Sequence, residues 1–335
     1  MEDMTCDVVV VGAGPRGSTA ARAASEGGAR VLLLERKAQI GVPEQCAGYV
    51  AKAIRWHIPL PEECIAQSVD VLRTFLPDGT VHEREAPGYV LNRAALDRHL
   101  ALDAVEAGAR LLLRTTAVGR WDGGVIARRE GEELRVHAPI IVGADGPHSL
   151  MARCMGLATP RLARALQYEV ALQSRLSAAE VYFRPAFRGG YAWLFPSGRT
   201  ARVGAAFVGG HQEAAMALRE LLRHLEEEGR ITTDSAISFC SGSVPVGGPV
   251  GAVWGNTLLV GDAAAHTHPV TGAGIVNAII AGEMAGRAAA RAALSGDPGL
   301  LEEYQEEYQE VLGPAMERAR EKRACLEREW DSPLE

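Results

Sequence analysis

The chain is poor in aromatic residues (18 of 335), holds three lysines, and places none of its six cysteines in a C-x-x-C pair. Scattered thiols fit a reducing compartment and offer neither a disulfide framework nor a zinc cluster. A basic excess is missing too. The formal charge is −7, against the cationic surface that phosphate backbones require, which excludes nucleic acid as the expected partner. Long apolar runs are absent: Val8 to Val11 is a strand's length, far from the roughly 20 residues of a membrane span. Ile275 to Leu294 is longer, but Glu283, Arg287 and Arg291 interrupt it, so it reads as a helix with a buried face. Met1 to Thr5 is acidic and unlike a secretory signal. The protein is expected in the cytosol, at most resting peripherally on a membrane surface.

What is present begins with length. A chain of 335 residues exceeds one typical domain, so two coupled domains are expected. Asp7 to Val11 is a continuous apolar strand, followed at once by Gly12-Ala13-Gly14-Pro15-Arg16-Gly17 and a helix of small residues, Ala20, Ala21, Ala23 and Ala24. A second apolar strand, Val31 to Leu34, ends in Glu35. This is a complete βαβ dinucleotide fingerprint: Gly12 allows the turn, Gly14 lets backbone approach a pyrophosphate, and Gly17 lets helix lie on strand. The helix N-terminus offers free N–H groups to phosphates. Glu35, 18 residues after Gly17, is placed for a ribose 2′-OH and disfavours a 2′-phosphate, so FAD or NAD is expected there, not NADP.

Two further marks follow in order. Ile140 to Gly143 leads into Ala144-Asp145-Gly146, and Thr257 to Val260 into Gly261-Asp262. Three such strand ends on one chain point to a single FAD gripped by both ends of the polypeptide. Asp262 is placed to meet a ribityl hydroxyl, and Thr271-Gly272-Ala273-Gly274-Ile275 opens a helix whose N-terminus would stabilise negative charge on the reduced ring. His266 and His268 lack an acidic or cysteine partner nearby and read as helix lead-in residues, with no metal expected. Gly41 to Gly48 is a connecting loop carrying Cys46, Val69 to Glu85 a hairpin turning at Asp78-Gly79, and Asn92 to Ala107 a helix with Arg93 in its first turn. From about Arg161 to Gly248 the pattern is β-like, with one helix at Gln212 to Glu228. Seven of the eighteen aromatics fall between Tyr182 and Phe207, and Tyr191, Trp193 and Phe195 alternate so as to share one strand face. That face is a plain sheet core or an apolar wall facing a ligand. Tyr304, Tyr308, Val311 and Leu312 space a charged tail helix that docks on the body.

With these residues in place, the chain resembles the flavoproteins of p-hydroxybenzoate hydroxylase fold and, among them, the geranylgeranyl reductase family. The order of the three motifs carries the first likeness. Pro43-Glu44-Gln45-Cys46-Ala47-Gly48 is similar to the family's Pro-x-x-Cys loop beside the flavin ring, and Tyr191-Ala192-Trp193-Leu194-Phe195-Pro196 to its Tyr-x-Trp-x-Phe-Pro signature. The resemblance implies an enzyme that reduces isolated C=C bonds of a polyprenyl substrate with FADH2, fed by NAD(P)H or a small electron carrier. It implies FAD contacts at Gly12, Gly14, Arg16, Gly17, Glu35, Cys46, Ala47, Arg93, Ala117, Asp262, Gly274 and Ile275, and a prenyl channel shaped by Tyr191 and Trp193. Cys46 is either the proton donor or a shaper of the flavin pocket. Two departures stand out. Members often have Cys-Gly-Glu where this chain has Cys46-Ala47-Gly48, and many run further past the Gly261-Asp262 helix, which bears on tunnel length.

The fold class expected is α/β: a Rossmann-type FAD-binding domain (1–68, 86–160 and 249–298), a smaller α+β substrate domain on an antiparallel sheet (69–85 and 161–248), and a helical tail (299–335). Rival readings share the scaffold. An aromatic monooxygenase lacks the cysteine loop and the Tyr191–Pro196 signature. A flavin halogenase needs an active-site lysine, and only Lys37, Lys52 and Lys322 exist. An electron-transfer flavoprotein passing electrons to quinone usually adds an iron–sulfur module, for which no cysteine cluster is present.

Overall fold

Four consecutive valines, Val8–Val11, leave neither face of a strand suited to water. In the computed structural model of the protein they form an inner strand of a six-stranded sheet, every side chain buried. The structure describes residues 2–232 and 236–331, and its packing divides the chain into two units. The described α-helices are α1 Pro15–Glu26, α2 Arg93–Glu106, α3 Leu150–Cys154, α4 His211–Glu227, α5 Ile275–Ser295, α6 Glu302–Val311 and α7 Gly313–Asp331.

The first unit comprises residues 1–42, 94–161 and 245–320. Its main sheet runs Val253–Trp254, Thr257–Leu259, Ile140–Gly143, Val8–Val11, Val31–Leu34, Arg110–Leu112, and every pair is parallel except the first. The four strands read from apolar runs thus stand side by side, as doubly wound sheets require of strands buried on both faces. A second, four-stranded sheet holds Glu2–Thr5, Thr115–Trp121, Gly124–Arg129 and Glu132–His137. The Ala-rich stretch of α5 packs on α1 at backbone range. A Cβ on Gly286 would stand 2.3 Å from the Ala20 carbonyl oxygen, so only glycine permits that approach. Among the described residues no helix is long and apolar enough to cross a membrane. Tyr304 and Tyr308 of α6 are buried in this unit's core with Leu312, but Val311 is exposed. Residues 304, 308 and 312 make one helical stripe, and 311 turns off it. Residues 332–335 of the expected tail lie outside the described residues.

The second unit comprises residues 43–93, 162–244 and 321–335. Residues 43–68 and 86–93, expected with the dinucleotide-binding body, pack here instead. The reason is backbone pairing: Tyr49–Ala51 lies antiparallel to Val81–Leu91, which pairs along its length with Ile65–Phe75. The hairpin turns where expected, with Asp78 Oδ1 accepting from Thr80 N at 2.9 Å. These strands belong to a nine-stranded, mostly antiparallel sheet with Leu162–Leu172, Ala178–Tyr182, Tyr191–Ser197, Thr200–Phe207, Ile231–Thr232 and Ser238–Pro245. Alternation sorts its faces. Ala192, Leu194, Ala201, Val203, Ala205 and Phe207 bury against the α4 stripe Ala214, Leu218, Leu221, Leu225. Trp193 and Phe195 face the other way, with Val69, Leu72 and Val90.

Candidate functional site

In the first unit the glycine turn is shaped by contact, not by flexibility alone. A Cβ on Gly17 would lie 1.8 Å from the Gly12 carbonyl oxygen, whereas one on Gly14 would meet nothing within 4 Å. Gly17 is therefore fixed by packing, and Gly14 leaves an open approach to the backbone. Glu35 is buried, and its carboxylate accepts from Ala13 N and Lys37 N, both at 2.9 Å. A carboxylate can accept about four hydrogen bonds, so capacity remains for ribose hydroxyls. Helix α1 starts at Pro15 with no side-chain cap and no acidic residue in its first turn, and α5, capped by Gly274, has none either. Both leave a positive dipole end unanswered.

Arg16 joins these ends. Its side chain lies across Gly261 and reaches Gly274, where an added Cβ would stand 2.9 Å from Nη2. Nη2 pairs with Asp262 Oδ1 at 2.8 Å, while Nε is buried with no hydrogen-bond partner. An orphaned cationic donor beside two helix starts without side-chain caps is a set that an anionic group such as a pyrophosphate would satisfy, so the residues present fit a dinucleotide. Asp262 Oδ1 also accepts from Thr267 Oγ1 at 2.5 Å, which orients the carboxylate.

The turn bearing Asp262 is braced from beneath. Ala265 takes a left-handed conformation (φ 56°), which costs a non-glycine residue roughly 1–2 kcal/mol. His266 N donates to Gly261 O at 2.8 Å and His266 Nδ1 accepts from Gly261 N at 3.3 Å, closing the loop over that strain. The imidazole is stacked on Tyr308 at 3.9 Å. Burial first, then the Arg16 charge, push its pKa down to about 3, so it stays neutral. His268 Nδ1 accepts from Val270 N and Thr271 N at 3.3 and 3.2 Å. Both histidines serve the backbone, and among the described residues no group of three or more metal-ligating side chains gathers. Asp145 does likewise: its carboxylate accepts from Ser149 Oγ and Leu150 N at 2.5 and 2.6 Å, capping α3.

In the second unit the Cys46 loop is nailed down residue by residue. Arg202 is buried, donating through Nη1 to Leu91 O at 2.9 Å and Ala47 O at 3.3 Å, and its Nη2 pairs with Glu44. Gly48 makes room: a Cβ there would stand 2.2 Å from Arg202 Nη1. A side chain at position 48 would displace that guanidinium. Glu44 also accepts from Arg93 N at 3.1 Å. Burial raises its pKa above the usual carboxylate range, with Arg202 pulling the other way. Gln45 Nε2 donates to Ser241 O at 3.0 Å. Ala47 and Tyr49 pack on the aromatic row, where Tyr191–Trp193, Trp193–Phe195 and Tyr49–Phe195 ring centroids lie 6.2, 6.4 and 5.6 Å apart. The alternation read from the sequence therefore holds, and the row runs alongside the cysteine loop. Tyr191 is pushed up to about 12 by burial and then by Cys46, so its phenol keeps its proton.

The expected site residues thus fall in two sets. Gly12, Gly14, Arg16, Gly17, Glu35, Ala117, Asp262, Gly274 and Ile275 belong to the first unit; Cys46, Ala47, Arg93, Tyr191 and Trp193 to the second. Ala117 lies on the four-stranded sheet, opposite Ala127. Sequence reading missed Thr267, Gln167, Arg202 and the stacking of Tyr308 on His266. Arg202 left a signal, the one charged residue inside the otherwise apolar strand Thr200–Phe207, which marks a buried partner without naming it; Gln167, on a strand that also carries Arg164 and Glu169, left none.

Comparison with known proteins bears on the fold and the family. The family model described as tryptophan halogenase matches residues 59–319, and one described as an NAD(P)-binding Rossmann-like domain matches residues 10–46. The chain is 40% identical over 338 residues to digeranylgeranylglycerophospholipid reductase 1 of Methanopyrus kandleri, covering 95% of this chain and 90% of that protein. It is 37% identical to the digeranylgeranylglycerophospholipid reductase of Methanothrix thermoacetophila, covering 94% and 86%. Among solved structures, a geranylgeranyl bacteriochlorophyll reductase-like protein of Thermoplasma acidophilum superposes with a TM-score of 0.87 at 29% identity, over 97% of this chain and 88% of that one. The chain belongs to the geranylgeranyl reductase family of FAD-dependent oxidoreductases, within the flavoprotein group that the tryptophan halogenase model describes.

Proposed function

We propose that the protein saturates C=C bonds in the geranylgeranyl chains of a glycerophospholipid, the first unit holding FAD and the second the lipid chain. The relatives' names supply the substrate class. The observation that carries the reading is the aromatic row of half-buried Tyr191 and buried Trp193 and Phe195, with the Cys46 loop packed beside it. NAD(P)H or a reduced electron carrier is the proposed reductant. FAD, when bound, supplies a hydride to one alkene carbon.

The chain's own residues do the rest. Gly12, Gly14 and Gly17 shape the backbone turn that receives the pyrophosphate, and the α1 start with Arg16 answers its charge. Glu35 accepts from the ribose. Asp262, oriented by Thr267, is proposed for a ribityl hydroxyl, and Gly274 and Ile275 present the α5 start to the ring. Arg93, Ala47 and Ala117 remain proposed contacts. An unactivated alkene is a poor hydride acceptor, so an apolar wall that excludes water and fixes the chain must lower much of the barrier. Cys46 Sγ holds the proton for the second alkene carbon, which balances the hydride.

The halogenase reading finds no lysine in position. Lys52 pairs with Asp70 at the surface, Lys322 is exposed on α7, and Lys37 is half-buried at the end of the Glu35 turn. The test is mass analysis of lipid product from anaerobically reduced, FAD-loaded protein. One hydrogen pair should be added per double bond, and Cys46→Ala should slow turnover about 100-fold, a typical loss for a positioned proton donor. Unchanged turnover in Cys46→Ala removes the thiol from the chemistry; no hydrogen addition by the native protein ends the proposed function.

A further inference from the structure

The strand register puts an unassigned amide between the two halves of the second unit's site. Gln167 lies opposite Gly204, and Gly204 lies opposite Trp193, so the three occupy one row across neighbouring strands. Gly204 has no side chain to separate the outer two. A Cβ there would stand 2.5 Å from Trp193 Cζ2, so the indole lies flat over that position. Its Nε1 then donates to Gln167 Oε1 at 3.1 Å, a buried bond.

An indole nitrogen can only donate, which fixes the amide's orientation and turns its NH2 the other way. Nε2 donates to the Cys46 carbonyl oxygen at 3.2 Å and contacts Cys240 Sγ at 3.7 Å. The acceptor and both donors of Gln167 are therefore committed, on a side chain that is buried. Gln67 and Gln173 of this unit, by contrast, bond to strand ends or loop carbonyls. Arg202 fixes the loop at Glu44 and Ala47, on either side of Cys46. Gln167 alone among these holds the peptide of Cys46 itself.

We propose that Gln167 is the positioning residue that locks the Cys46 backbone to the Trp193 wall, and so aims the thiol at a substrate lying on that wall. The inference rests on the proposed function for its consequence in catalysis, but not for the clamp. Holding the Cys46 carbonyl fixes the peptide plane, and with it the direction of the Cα–Cβ bond. Losing one such hydrogen bond, near 1.4 kcal/mol, corresponds to about tenfold in the population of the aimed conformer.

The test uses Gln167→Glu and Gln167→Met in the full chain with FAD. Glu retains an acceptor for Trp193 Nε1 and loses the donor to Cys46; Met keeps the length and loses both. Iodoacetamide labelling, resolved by peptide mass, reads the clamp without reference to activity. Cys46 labelling should rise about tenfold in both variants while exposed Cys154 and Cys325 keep their rates. With lipid substrate, kcat should fall about tenfold in both variants, and KM should rise in Gln167→Met alone, because only there is the wall released. Native-like Cys46 labelling in either folded variant overturns the proposal, and if Gln167→Glu fails to fold, Gln167→Met decides. Faster labelling with a native protein that reduces no lipid would sink the function and leave the clamp standing; the reverse pattern would sink the clamp alone.

Discussion

Arg202→Met removes the cation on which the Cys46 loop closes. Arg202 is 6% exposed, and its guanidinium meets Glu44, Leu91 O and Ala47 O together. Breaking a buried pair by deleting one partner costs about 3–5 kcal/mol, because the remaining charge is left uncompensated. Glu44 keeps 27% of its side-chain surface and one backbone donor, Arg93 N, which places the cost near the lower end, about 3 kcal/mol. At about 2–4 °C per kcal/mol for a unit of this size, the melting temperature should fall roughly 6–12 °C. The pH dependence carries the diagnosis. Burial already holds the Glu44 pKa above its unfolded value, so stability from this group is full when the carboxyl is protonated and is lost as pH rises through the folded pKa. Deleting Arg202 removes the influence that lowers that pKa, so the variant's deficit should be larger at about pH 8 than at about pH 5. Melts of the native protein, Arg202→Met, Glu44→Gln and the double variant read this directly. The double variant should recover most of the loss. A deficit equal at both pH values, or none, would refute the reasoning.

Gly17→Ala should lose FAD retention and at least about 2 kcal/mol of stability, since its Cβ would sit 1.8 Å from Gly12 O; a native melt and native flavin content would contradict this. Glu35→Ala should weaken FAD about 10–100-fold by fluorescence titration, the worth of hydrogen bonds to a charged acceptor. Unchanged affinity would remove Glu35 from the ribose. His266→Gln should flatten the acid limb of the stability curve. With the folded pKa pushed down to about 3, the unfolded chain takes up a proton first, so stability is present above the ordinary imidazole range and lost as pH falls through it. Each pH unit in that window is worth about 1.4 kcal/mol, and an unchanged slope in denaturant melts would dismiss the assignment.

What could be read from sequence was what local pattern dictates. Val8–Val11, Ile140–Gly143 and Thr257–Leu259 are apolar on both faces and followed by glycine turns, so their place in a parallel sheet was legible. The aromatic face of Tyr191–Ser197 was legible by alternation. Long-range pairing was not. Gly41 to Gly48 reads as a connecting loop, yet the strands that follow it, Tyr49–Ala51 and Ile65–Phe75, close a sheet with Val81–Leu91. Gln167 and Arg202 find the cysteine loop 121 and 155 residues away, contacts that no local period encodes. The Arg16–Asp262 pair and the orphaned Arg16 Nε likewise exist only once α1 and the Gly261 turn are brought together.

The most direct measurement is a single anaerobic mixing experiment. FAD-loaded protein is bleached with dithionite, freed of excess reductant, and mixed with a digeranylgeranyl glycerophospholipid or its fully saturated counterpart. Yellow should return with the unsaturated lipid only, in step with hydrogen gained by its chains. Protein that stays bleached with both lipids, or that takes up no FAD, would contradict the assignment of prenyl reduction.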